Sequence, residues 1–142
     1  LLNYCSKFNN IKKCILIDPV NNNIKNIDYK FEETLIIKAE KSYAWKIEGF
    51  IPKKMPFIPA FKLDESIMKN SSITKISFPD YGHCDILDPL WSNIMHKTVA
   101  EGTDKRDSIN NYQELLTKLI EAYLQDFTLE NLDANIEYSI IE

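Results

Sequence analysis

The run Cys14 to Ile17 followed at once by Asp18-Pro19, in "KKCILIDPV", constrains this chain more than any other stretch. A continuous apolar, largely β-branched run suits a strand covered on both faces, as in a parallel sheet. Proline disfavours helical geometry in the residue before it, so Asp18 is expected to sit extended at the strand's carboxyl end. "TLIIKA", Thr34 to Ala39, reads as a second buried strand. "ITKISF" reads as a third, with partial alternation, ending at Pro79. Gly82 is expected to permit a sharp turn just before His83.

Between the second and third strands lies a long segment rich in proline and aromatics. Tyr43, Trp45, Phe50, Phe57 and Phe61 either wall an apolar pocket or pack this loop, with a helix around Leu63 to Met68, onto the sheet. After His83, "LDPLWSNIMHKTVAEG" predicts a short helix. Asp85 and Asp88 are placed to hydrogen-bond the turn or cap that helix. The clearest helix follows, with Ile109, Tyr112, Leu115, Leu116, Leu119, Ile120, Tyr123 and Leu124 repeating at three and four. Asp107 or Ser108 can cap it, and Glu114 pairs with Lys118 at i,i+4. The tail "NIEYSII" predicts an edge strand or an extended arm. "LLNYCSKF" has the spacing of a helix end whose beginning is absent.

Strands alternating with crossovers imply an α/β class with a mostly parallel sheet flanked by helices. A length of 142 residues fits at most one domain. The net charge of -4, with lysines scattered among acids, provides no basic stripe for nucleic acid. No apolar run approaches the roughly 20 residues of a transmembrane segment. Cys5, Cys14 and Cys84 lack C-x-x-C spacing, which argues against a disulfide framework or thiolate metal site. Adjacent His83, Cys84, Asp85 and Asp88 have ligand-type side chains but a spacing ill-suited to one ion, so no metal is expected.

In parallel sheets, sites form outside the carboxyl ends of the strands. Asp18 and His83 both fall there. A histidine that takes a proton from a serine needs a carboxylate on its other ring nitrogen to fix the tautomer and stabilise the imidazolium. The order acid then histidine is that of α/β-hydrolases, whose serine lies upstream of both.

"ILIDPV" followed by "FPDYGHCDILD" resembles the chlorophyllase branch of the α/β-hydrolase superfamily. "TLIIKAEKS" and the "NNYQELLTKLIEAYLQDF" helix resemble later elements of the same family. The resemblance implies that Asp18 is the triad acid and His83 the triad base of a serine esterase without a cofactor. It further implies an apolar ester substrate, such as the phytyl ester of chlorophyll.

The family's Gly-x-Ser-x-Gly elbow is absent, because the only glycines are Gly49, Gly82 and Gly102. Ser6, Ser42 and Ser66 look like ordinary polar positions. Residues 1–142 are therefore expected to be the carboxyl-terminal part of one hydrolase domain, whose remaining amino-terminal part is the partner that completes it. The alternative is a non-catalytic α/β-hydrolase-like interaction module lacking the nucleophile. If the domain is incomplete, an uncovered strand edge should weaken it. Circular dichroism of the chain alone is then expected to give a shallow, non-cooperative melt; a sharp, reversible monomeric transition would contradict the expectation.

Overall fold

A computed structural model describes residues 11–18, 31–43, 72–98, 102–129, 132 and 136–141. Four strands form one sheet: β1 (Lys13–Ile17), β2 (Glu33–Ala39), β3 (Ser72–Phe78) and β4 (Ser139–Ile141), in the order β1-β2-β3-β4. The first three run parallel, and β4 joins β3 antiparallel, so the tail is an edge strand. Two helices follow β3: α1 (Pro89–Thr98) and α2 (Ile109–Leu124). This is an α/β architecture with a mostly parallel sheet.

Register explains how the strands assemble a core face. Ile17 pairs with Ile37, Ile37 with Ile76, and Ile76 with Ile140, so one apolar row crosses all four strands. Leu35, Ala39 and Phe78 lie on the same face by the two-residue period of a strand. Against it packs the buried stripe of α2, formed by Tyr112, Leu115, Leu116, Leu119 and Tyr123. Thr34 and Ile36, whose side chains point to the opposite face, are also fully buried, which accounts for the unbroken apolar run in β2.

Three local expectations need correction. β1 was expected to be covered on both faces, yet every one of its positions is only half-buried. It is one of the two edges of the sheet among the described residues. Ser108 stands at the N-cap before Ile109 but makes no side-chain cap; it closes the 3-10 turn Arg106–Ser108, and its hydroxyl donates to the Lys105 carbonyl at 2.7 Å. Gly82 is extended, with φ -118 and ψ 170, so the chain turns at Pro79-Asp80 and in the 3-10 segment His83–Ile86 without left-handed glycine geometry.

Other expectations are met. Asp88 caps α1, its Oδ1 accepting from the Leu90 N–H at 2.9 Å while Pro89 takes the first helical position, where no donor is needed. Lys118 and Glu114 form their i,i+4 pair at 2.8 Å. The segments around Leu1–Phe8, Trp45, Phe50, Phe57, Phe61 and Leu63–Met68 lie outside the described residues.

Leu119 is fully buried in the helix-sheet interface, whereas Leu124 lies on the exposed side of α2. Leu119→Ala is expected to cost about 2–5 kcal/mol by lost burial and cavity formation. Leu124→Ala should stay within about 0.5 kcal/mol. Urea midpoints compare the two, and equal midpoints would be inconsistent with this packing.

Candidate active site

The carboxyl ends of β1, β2 and β3 each contribute one polar side chain to a single point. Asp18 leaves β1, Ser42 sits in the 3-10 turn after β2 (Glu40–Tyr43), and His83 opens the 3-10 turn after β3. His83 Nδ1 lies 3.3 Å from Asp18 Oδ2, so the structure brings the acid and the histidine named from the sequence together. Their burial differs: Asp18 is 8% exposed, while the His83 side chain is 42% exposed. A buried carboxylate thus faces an imidazole that reaches solvent.

The local backbone accounts for the placement of Asp18. Its own N–H donates to the Ile37 carbonyl at 2.8 Å, continuing the ladder between β1 and β2. The next donor of that ladder, the Ala39 N–H, goes not to a main-chain carbonyl but to Asp18 Oδ1, also at 2.8 Å. The carboxylate stands in for the carbonyl that an extended strand would have offered. The main chain is therefore released to turn, with Asp18 at φ 41. This corrects the extended geometry expected before Pro19: the side-chain bond to Ala39 outweighs the local preference, and aspartate is among the residues that tolerate positive φ.

Ser42 completes the carboxylate's surroundings. Its hydroxyl donates to Asp18 Oδ2 at 2.7 Å, and its side chain is buried. It is not the ordinary polar position that its flanking residues suggest. No local signal marks it, since its partner lies 24 residues away in sequence. A hydrogen bond to an ionised acceptor has a net contribution of about 1.5–3 kcal/mol, so the donors make burial of this carboxylate tolerable.

A second buried carboxylate fixes the histidine turn. Asp85 is fully buried and accepts from the Gly82 N–H at 2.8 Å, the Thr103 N–H at 2.6 Å and the Ser92 hydroxyl at 3.1 Å. It ties the turn to α1 and to the segment before α2. Gln113 on α2 donates to the carbonyls of Asp85 and Leu87. Beneath the turn, Tyr81 stacks on Tyr112 with centroids 3.9 Å apart, and Phe78 meets Tyr112 edge-on at 5.1 Å. The Lys41 N–H donates to the Tyr81 carbonyl at 2.9 Å, joining the Ser42 turn to the His83 turn.

Electrostatics separate the neighbours by role. Burial, aided by the charges of Asp85 and then Asp18, pushes the Cys84 thiol up, which keeps it protonated and a poor nucleophile. Burial likewise drives the Tyr112 hydroxyl far above its ordinary value. Among the described residues no three metal-ligating side chains converge. No described helix is long and apolar enough to cross a membrane. Ile86 and Leu87 on the histidine turn and Leu90, Trp91 and Ile94 on α1 are each exposed apolar side chains.

Searches against protein-family models, curated proteins and solved structures found no match to this chain.

The absence of a side chain at residue 102 is part of the same arrangement. A Cβ on Gly102 would lie 2.6 Å from Asp85 Oδ1. That carboxylate is held by three donors and has little room to retreat. Gly102→Ala is expected to destabilise the fold by about 1–3 kcal/mol through overpacking and to shift the amide resonances of Gly82 and His83. Unchanged stability and resonances would contradict the tight approach.

Proposed function

We propose that this chain supplies the acid and the base of a serine-type carboxylic ester hydrolase, as the carboxyl-terminal part of one α/β-hydrolase domain similar to the chlorophyllase branch. The observation that carries the proposal is the 3.3 Å approach of His83 Nδ1 to Asp18 Oδ2 at the carboxyl edge of a parallel sheet. With hydrogen on Nδ1, His83 donates to Asp18 and presents the Nε2 lone pair on the opposite side of the ring. Nε2 takes the serine proton as the hydroxyl attacks the ester carbonyl, and then returns it to the leaving alcohol. Asp18 remains ionised and stabilises the imidazolium. This scheme requires no cofactor.

The serine is contributed by sequence other than residues 1–142, on a strand that pairs with the outer edge of β1. The half-burial of every β1 position supports that placement. The exposed apolar side chains Leu87, Leu90, Trp91 and Ile94 near the histidine turn agree with an ester that has a bulky apolar part, such as the phytyl ester of chlorophyll.

Translating the coding sequence upstream of Leu1 is the first test. A strand, a Gly-x-Ser-x-Gly elbow and a helix running into "LLNYC" are expected; without that elbow the chain is better read as the interaction module. In the whole enzyme, Asp18→Asn is expected to reduce kcat by about 10⁴, the scale seen when a triad aspartate is replaced by asparagine and the histidine takes the wrong tautomer. His83→Ala should reduce it at least as far, with native circular dichroism in both variants. Unchanged hydrolysis of a p-nitrophenyl ester by both would refute the assignment.

A further inference from the structure

Ser42 has a geometry that the acid-base pair alone does not explain. It is buried, it follows β2 rather than either strand that carries the pair, and its hydroxyl crosses to Asp18 instead of bonding within its own turn. Its 2.7 Å bond is shorter than the 3.3 Å approach of His83 to the same oxygen, Oδ2. Oδ1 is meanwhile committed to the Ala39 N–H. Two donors from the end of β2 therefore clamp the carboxylate, one on each oxygen, and set the direction in which Oδ2 meets the imidazole.

We propose that Ser42 is a positioning residue that holds Asp18 toward His83 and thereby selects the Nδ1–H tautomer of the imidazole. The proposal rests on the hydrolase assignment for its catalytic meaning, but its physical content does not require an ester or a nucleophile. Neutral imidazole carries its proton on whichever nitrogen faces a better acceptor. A carboxylate fixed beside Nδ1 keeps the proton there and leaves Nε2 as the base. Without the Ser42 hydroxyl, the Asp18 side chain retains the Ala39 bond on one oxygen only, and Oδ2 is free to swing from the ring. The signature of that loss is a redistribution of the His83 proton toward Nε2.

The test uses ¹⁵N chemical shifts of the His83 ring in the full-length protein at about pH 8.5, roughly two units above the ordinary histidine value. The resonances are assigned by their loss in His83→Gln. Ser42→Ala is expected to lower the ratio of Nδ1–H to Nε2–H by at least about threefold, the effect of a modest change in one hydrogen bond. Ser42→Cys nearly preserves volume while offering only a weak donor, and should move the ratio in the same direction. It serves as the readout if the alanine variant does not fold. A wild-type ratio in whichever of these variants is folded overturns the proposal. If the ratio moves but the complete protein hydrolyses no ester, the tautomer role of Ser42 stands and the hydrolase assignment fails. If an active esterase keeps its ratio in both variants, the hydrolase assignment stands and Ser42 has no positioning role.

Discussion

The hydrogen bond from the Ala39 N–H to Asp18 Oδ1 is the interaction on which the candidate site depends. It lets β1 end one residue before its ladder to β2 runs out of donors. Without it, either Ala39 would bury an unsatisfied N–H or Asp18 would have to continue as strand, and an unpaired buried amide costs about 1–3 kcal/mol. The carboxylate removes this conflict and is itself made tolerable in the interior. One side chain thus closes a strand, permits a left-handed turn and offers a charge to His83.

The histidine side of the pair is organised differently. His83 lies on a short turn with little regular structure of its own, so its position is imposed by neighbours. Asp85 gathers donors from three segments, Gln113 satisfies carbonyls of the same turn, and the Tyr81-Tyr112 stack fills the space beneath. The ion pairs nearby add little by comparison. Lys105 holds the Asp80 carboxyl below its usual range, and Lys41 approaches Asp104 at 3.5 Å, but these pairs are largely exposed and water screens them. Rigidity here comes from buried acceptors with several donors.

Much of this was legible from the residues. The continuous apolar run in β2 announced a parallel sheet and the three-four spacing of α2 marked its buried stripe, because both patterns reflect burial, whereas the similar run in β1 lies on a half-buried strand. Asp18 and His83 were readable as strand-end residues for the same reason. Ser42, Ala39 and Gly102 were not, because their roles depend on partners distant in sequence and leave no periodic trace. Local rules also gave way where a long-range bond competed with them: Pro19 argued for an extended Asp18, Gly82 for a sharp turn before His83, and Asp107 or Ser108 for a helix cap. In each case the observed backbone follows the tertiary hydrogen bonds or the preceding turn.

The spread of the site over three parallel strands also bears on when it comes into being. Asp18 and His83 are 65 residues apart, and the intervening chain must close as a loop before they meet. Loop closure of that kind carries an entropic cost recovered only once the distant contacts form. Parallel pairing is non-local and slow relative to helix formation. Helix α2 can gather early, but the carboxylate, the serine hydroxyl and the imidazole converge only after β2 has docked between β1 and β3. The Ala39 and Ser42 donors, 21 and 24 residues from Asp18, come with β1–β2 pairing, whereas His83, 65 residues away, joins the carboxylate only once β3 has docked.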